Sequence, residues 1–421
     1  MALRSDDVSP AATLAERYSR ARAASLALVR TLETEDYVVQ SMPSTSPTKW
    51  HLAHTTWFFE RFILGPYLPD FKVFDDRYHF LFNSYYYTQG TMHARDRRGL
   101  LTRPTVGEIV AYRNHVDEHI NRLLIDGSGN GVGYLVTLGI NHEQQHQELM
   151  LTDIKHVLSS NPLQPALIDT DFQRRGAPLP NLDYAYYPGG LTNTGAESAG
   201  FCFDNETPRH AVHLEPFRLG DRLISNGEYR EFIDDAGYRQ SSLWLADGWA
   251  WVNEQRIDRP LYWSSDLSAQ FTLAGTRDID LSAPITHISF YEADAFARWA
   301  EARLPREAEW ELAASQVSIE GNFVENGSWH PQPLDDAVPE RPAQMFGDVW
   351  EWTASAYSPY PGFRPLEGSI GEYNGKFMCN QLVCRGGSCA TPHDHIRATY
   401  RNFFYPQDRW QFFGLRLARD V

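Results

Sequence analysis

The chain has 421 residues, enough for two or three domains with sizeable cores. Its 38 Lys and Arg against 54 Asp and Glu leave a formal charge of −16, which excludes a phosphate-backbone binder built on clustered positive charge, so no nucleic-acid partner is expected. A hydrophobic share of 42% with 13% aromatics excludes wholesale disorder, and the four cysteines, Cys202, Cys379, Cys384 and Cys389, are too few and too unevenly placed for a disulfide framework. Residues 1–25 mix acids and arginines where a signal peptide needs an apolar run, and no later stretch reads as a membrane span. A cytoplasmic location without membrane partners is expected.

Residues 10–160 read as helical. The Ala-, Leu-, Arg- and Glu-rich stretch 11–32 predicts a first helix, and in 50–64 Trp50, His54, Trp57, Phe58, Arg61 and Phe62 recur at spacings of three and four, one face of a second. Thr105 and Glu108 form a capping box just after Pro104 and open a third helix, whose apolar stripe runs through Ile109, Tyr112, Val116 and Ile120. A fourth runs from about 135 to 158, where Ser159-Ser160-Asn161-Pro162 stops it. Four such segments predict an antiparallel bundle with a long second connection over 66–103. Residues 161–183, rich in Pro, Asp and Arg, read as a linker. From 184 to 421 short aromatic runs alternate with turn signals such as Pro188-Gly189-Gly190, Asp247-Gly248 and Arg385-Gly386-Gly387. Two short helices are predicted there, at 225–236 and 290–302, with the rest irregular. The expected class is therefore α+β multidomain, a four-helix bundle followed by a domain with little regular secondary structure.

The sharpest local signal is His142-Glu143-Gln144-Gln145-His146. Residues four apart stack on one helix face, so both imidazoles can grip one metal ion. That face continues through Leu149, Met150, Asp153 and Val157 and so points into the bundle core, where two uncompensated imidazoles are costly without a metal or a hydrogen-bond network. A facing helix must supply a further ligand. The second helix offers His51 and His54, and His54 is preferred because it shares its face with Trp57, Phe58 and Arg61. Three neutral imidazoles leave coordination positions open, which suits Fe(II), and Zn(II) fits the same donors. The run is also H-E-x-x-H, so a zinc protease with Glu143 as general base is a rival; its metzincin form needs Gly at 149 and His at 152, where this chain has Leu149 and Thr152.

Four ordered stretches in the second half carry a resemblance: Arg303-Leu304-Pro305-Arg306-Glu307-Ala308-Glu309-Trp310-Glu311, Gly347-Asp348-Val349-Trp350-Glu351-Trp352-Thr353, Arg385-Gly386-Gly387-Ser388 and Gly414-Leu415-Arg416-Leu417. They resemble the motifs of the formylglycine-generating, sulfatase-modifying fold, which is C-type-lectin-like. The first half, with His51-Leu52-Ala53-His54-Thr55 and His142-Glu143-Gln144-Gln145-His146, resembles a DinB-type metal bundle. Joined in this order, the two resemble the iron-dependent sulfoxide synthases of ergothioneine biosynthesis over essentially the whole chain. The resemblance implies an Fe(II) cofactor held by His54, His142 and His146, and a reaction that joins a thiol sulfur to the imidazole of hercynine (N-α-trimethylhistidine) with dioxygen. Formylglycine chemistry itself is disfavoured, because the spacing of Cys379, Cys384 and Cys389 does not reproduce its copper-binding cysteine pair.

The same resemblance assigns further residues. Gln145 matches a hercynine-holding position, and Asn402, Phe403 and Phe404 align with the loop that cradles the trimethylammonium group, a role that aromatic faces suit. Tyr85 or Tyr86 is the expected proton donor, as in family members that lack a tyrosine on the C-terminal domain. Arg95 and Arg98, with Arg97 between them, offer guanidinium forks for a substrate carboxylate. Members that use γ-glutamylcysteine carry an Asp and, four residues on, an Arg at the positions of Phe404 and Asp408, so cysteine is the expected sulfur donor. A selenium-transferring relative shares the architecture. A noncatalytic, metal-stabilised binding protein is the rival from another class, and it fits poorly because closed structural sites usually take four protein ligands.

Overall fold

The computed structural model describes residues 12–125, 131–170, 179–197, 200–334 and 342–421. Residues 1–11, with the start of the expected first helix, and the centre of the 161–183 linker lie outside the described residues. Four helices build the first half: α1 (Leu14–Leu28), α2 (Thr48–Phe59), α3 (Val106–Ile125) and α4 (Gly133–Ser160). Thr13 caps α1 through a reciprocal box with Glu16, and the expected box before α3 is present, with the Glu108 amide donating to Thr105 Oγ1 at 3.2 Å. Helix α2 runs on into a π-helical turn, Glu60–Leu64, so the stripe expected over 50–64 is continuous but changes pitch. Its buried Glu60 accepts from Tyr112 Oη at 2.7 Å and so ties the turn to α3. The helices meet around Tyr18, Trp57, Phe58, Phe59, Tyr112 and Ile140, all buried.

The second half holds more regular structure than its sequence led us to expect. Helices α5 (Asn226–Asp234) and α7 (Phe290–Trp299) correspond to the two expected ones, and two more occur, α6 (Ala246–Gln255) and α8 (Glu307–Ala314). Asp247-Gly248 and the Trp residues of α6 read as turn signal and aromatic run, and α8, with eight residues, spans little more than two turns. Strands β1 (Tyr184–Tyr187), β2 (Gly190–Thr194), β3 (His210–Leu214) and β4 (Phe217–Gly220) come first, then the hairpin β5 (Ala269–Thr272) and β6 (Gly275–Asp278). The central sheet is formed by β7 (Trp350–Ala356), β8 (Leu382–Arg385), β9 (Asn402–Phe404) and β10 (Phe413–Gly414) in the order β9-β8-β7-β10. Strand β11 (Ala418–Asp420) completes a separate sheet, β1-β4-β11. Register Val383↔Phe403 and Cys384↔Asn402 holds the Asn402-Phe403-Phe404 run on the edge of the central sheet.

The motif residues that carry the family resemblance turn out to be buried ion pairs. Arg303 pairs with Glu309 at 2.7 Å, Arg385 with Glu311 at 2.9 Å, and Arg416 with Glu351 at 2.9 Å. Trp350 Nε1 and Ser388 Oγ both donate to Glu148 of α4, at 2.8 and 2.5 Å. The charged types recur because a buried charge needs its partner and brace the second domain from within, while Trp350 and Ser388 dock it onto α4.

Lys155, two turns beyond the histidine pair on α4, enters the same interface. Its Nζ lies 2.6 Å from His287 Nε2 and over the rings of Tyr262 and Phe412. Burial pushes this amine down from its ordinary 10.5 to about 7. Between those two values the unfolded chain holds a proton that the folded chain lacks, so stability rises with pH across that window, by as much as about 1 kcal/mol per unit. Thermal unfolding from pH 7 to 9.5 is expected to give a flatter curve for Lys155→Met than for wild type; parallel curves would show that the amine stays charged.

Candidate metal centre and interdomain cavity

Helix α2 and helix α4 face each other across the bundle, and this brings together three of the expected residues. His54, His142 and His146 are buried, each offers one nitrogen, and these nitrogens lie within 4.8 Å of one another. His54 Nε2 and His142 Nε2 are 3.2 Å apart. Burial holds all three imidazoles below their ordinary pKa, His142 at about 3, so they are neutral ligands with free lone pairs. His54 stacks on Trp50 at 4.7 Å, and its Nδ1 sits 2.6 Å from the Phe82 carbonyl, which orients Nε2 toward the other two. Three converging acceptor nitrogens without a shared donor fit a divalent metal ion.

His51 lies beside this group in a different role. Its Nδ1 is 2.8 Å from His146 Nδ1 and its Nε2 is 3.0 Å from Asp153 Oδ2, so an Asp153–His51–His146 chain aligns His146 from behind. Asp153 also accepts from the Ser46 amide and from Trp410 Nε1. The spacing of His51 could not have shown this, because its partners His146 and Asp153 lie on α4, and which of the two α2 histidines meets them depends on how α2 faces that helix. Glu143 faces the opposite side of α4, where it accepts from Arg22 and Arg113, each at 2.7 Å, and from Ser25 at 2.6 Å. Burial alone would raise its carboxyl, but Arg113 and Arg22 bring it down to about 2. It is a structural anion and not the general base that a zinc protease needs.

A cavity of about 390 Å³ lies where the domains meet, with His146 on its wall. Of the expected residues, Tyr85, Arg95, Arg98, Gln145, Asn402, Phe403 and Phe404 all line it. Tyr86 does not: it is fully buried behind Tyr85, against Trp57 and Phe62. Phe403 stacks on Tyr357 at 4.0 Å, and Phe404 meets Trp410 edge-on at 5.9 Å. Arg98 lies 3.4 Å from the centroid of Trp50, hydrogen-bonded to Ser46 and Ser84 and to no carboxylate, and burial lowers its pKa. Arg95 is more exposed and donates to the Ser44 carbonyl.

Two phenols of the second domain were missed. The family comparison made on sequence placed the tyrosines of this site on the bundle side alone, yet Tyr373 and Tyr400 also line the cavity. Tyr373 approaches His142 edge-on at 5.5 Å between ring centroids, and its hydroxyl donates to Gln145 Oε1. Gln145 Nε2 in turn donates to Tyr400 Oη at 2.5 Å, so the residue next to His146 holds both phenols by its amide. Both residues sit in runs without periodicity, 228 and 255 residues from Gln145 in sequence, and only the domain docking makes them neighbours.

Known proteins match this arrangement in both parts. Residues 17–150 match the DinB superfamily, and residues 174–336 and 342–421 match the sulfatase-modifying factor enzyme 1-like domain. The hercynine oxygenase of Mycolicibacterium smegmatis is 33% identical over 97% of this chain and 99% of its own length. That of Mycolicibacterium thermoresistibile is 33% identical over 73% of each. A formylglycine-generating enzyme of Streptomyces coelicolor is 27% identical over 56% of this chain and 88% of its own. A DinB bundle with a buried three-histidine group, closed by a sulfatase-modifying-factor domain, defines a metal-binding oxidoreductase. The chain belongs to the hercynine oxygenase family, the sulfoxide synthases of ergothioneine biosynthesis.

Proposed function

We propose that this enzyme binds Fe(II) through His54, His142 and His146 and joins the sulfur of cysteine to the imidazole of hercynine at the expense of dioxygen. The observation that carries the reading is the neutral histidine triad behind a cavity lined by both aromatic faces and unpaired guanidinium groups. In the balanced reaction a C–H and an S–H bond break, a C–S bond forms, one oxygen atom stays on sulfur and the other leaves as water. Bound Fe(II) supplies the one-electron chemistry with dioxygen that side chains lack. The protein does the rest. Phe403, Phe404 and Trp410 offer π-faces to the trimethylammonium group, worth ~0.5–2 kcal/mol each, and Arg98 offers its fork to a carboxylate. Tyr85 and Tyr373 offer protonated phenols, and Gln145 positions Tyr373. Free cysteines and the lack of any described helix long and apolar enough to cross a membrane are in keeping with a cytoplasmic setting. Oxygen uptake by the Fe(II)-loaded enzyme that needs both hercynine and a thiol, with one sulfoxide formed per dioxygen, tests the reading. Uptake only with a selenium donor would move it to the selenium-transferring relatives, and metal without uptake would make it a binding protein.

Cysteine is expected to outcompete γ-glutamylcysteine. Phe404 has no acceptor for the dipeptide's ammonium and Asp408 repels its carboxylate, together disfavouring it by roughly 2–5 kcal/mol. Neither neighbouring arginine is free to compensate: Arg401 is held by Glu307 at 3.0 Å, and Arg409 by Glu292 at 3.0 Å. The ratio of kcat/KM for the two thiols checks this, and equal or better turnover of the dipeptide would refute it.

A further inference from the structure

Asp408, used so far only to repel the dipeptide's carboxylate, is a carboxylate on the cavity wall. It follows β9 in the turn Tyr405-Pro406-Gln407-Asp408, and its side chain accepts one hydrogen bond, from the Tyr405 amide at 3.2 Å. The ion pairs found among the described residues include no partner for it. The arginine that follows it, Arg409, turns away to Glu292 and the Arg259 carbonyl. Partial burial lifts its carboxyl to about 7, against the pull of the Tyr405 amide and the field of Arg95. A carboxylate in that state gains from a cation brought to it.

The opposite charge sits across the same cavity. Arg98 is buried, stacked on Trp50 and bonded only to the hydroxyls of Ser46 and Ser84. Asp408 feels Arg95 but pairs with neither arginine. The cavity therefore carries one half-buried carboxyl group and one buried guanidinium, without ion-pair partners among the described residues and on elements of different domains. That pattern is complementary to a zwitterion. Hercynine's quaternary ammonium has no N–H to donate and is suited to the π-faces of Phe403, Phe404 and Trp410, whereas a primary ammonium donates three hydrogen bonds and is suited to a carboxylate.

We propose that Asp408 is a specificity-determining residue that receives the α-ammonium of the thiol-bearing amino acid while Arg98 receives its α-carboxylate. The assignment rests on the reading of an amino-acid thiol as second substrate. It turns the role of Asp408 from excluding a longer thiol to selecting an α-amino acid, and it predicts discrimination against thiols that lack either charged group.

The test is a calorimetric titration of the Fe(II)-loaded enzyme under nitrogen with cysteine, cysteamine and 3-mercaptopropionate, for wild type, Asp408→Asn and Asp408→Ser. Both substitutions are small changes at a cavity wall, and thermal unfolding verifies that each variant is folded. Both variants are expected to bind cysteine and cysteamine about 10–100-fold more weakly while 3-mercaptopropionate binds as before or better. Arg98→Gln is expected to give the mirror image, weakening cysteine and 3-mercaptopropionate and sparing cysteamine. Equal weakening of all three thiols by the Asp408 variants, no weakening of any, or a loss confined to hercynine affinity would overturn the proposal. Because the readout is binding without oxygen, it stands apart from the oxygen-uptake test, whose failure alone would refute the proposed reaction.

Discussion

His142→Ala is expected to strip the enzyme of most of its iron and to lower hercynine- and thiol-dependent oxygen uptake by at least about 100-fold. Outer partners of metal ligands already account for 10–100-fold in affinity, so loss of a ligand sets that range as a lower bound. The same outcome is expected for His146→Ala and His54→Ala, because the three nitrogens close on one point within 4.8 Å and no other described group of His, Cys, Asp or Glu does so. His54→Ala is the most informative of the three. His51 lies one turn away and touches His146, so full iron occupancy in the His54 variant would identify His51 as the ligand in its place. His51→Gln gives the complementary result: as an aligning residue between Asp153 and His146 it is expected to weaken iron by 10–100-fold and leave the ligand set intact. Metal content by elemental analysis, read beside near-UV circular dichroism to verify folding, separates these outcomes.

How much of this was legible beforehand follows from the range of the forces involved. The bundle helices and the histidine pair were readable because periodicity and i, i+4 spacing are properties of a single helix. Choosing His54 over His51 needed only the face each shares with its own helix neighbours. Helices α6 and α8 were not readable, α6 because Asp247-Gly248 near its start is also a turn signal and α8 because eight residues hold little more than two turns. The role of Glu143 was hidden because its partners Arg22 and Arg113 lie on two other helices. The aligning function of His51 was hidden likewise, since its partners lie on α4, and Tyr373 was hidden on a larger scale, since its place depends on how the second domain docks on that helix. The motif residues behave oppositely. They stand out in sequence because buried charges must be matched in pairs, yet what those pairs do is brace the second domain internally, with the chemistry left to less distinctive residues in the cavity.

Tyr373→Phe is expected to cost 10²–10⁴-fold in the rate of sulfoxide formation, the range typical of a positioned general acid, while leaving iron content unchanged. A phenol without its hydroxyl can no longer deliver a proton at the metal-facing wall, so oxygen consumption is expected to divert toward simple oxidation of the thiol. The ring of Tyr373 stands edge-on to His142 at 5.5 Å and its hydroxyl is tied to Gln145, next in sequence to His146, which puts it nearer the triad than any tyrosine named from sequence. Tyr85 stands in the next rank, 6.0 Å from Tyr373 between ring centroids. Burial raises the pKa of both phenols, so both stay protonated at neutral pH and neither adds a titration to the activity profile there. Tyr85→Phe is therefore expected to shift the product ratio less than Tyr373→Phe, and Tyr86→Phe, walled off against Trp57 and Phe62, to leave it unchanged. The ratio of sulfoxide to oxidised thiol at equal oxygen consumption is the measurement. A dominant effect at Tyr85 would make that residue the donor and Tyr373 its support, and wild-type ratios in both variants would remove the phenols from the chemistry and leave Gln145 and its partners as binding groups alone.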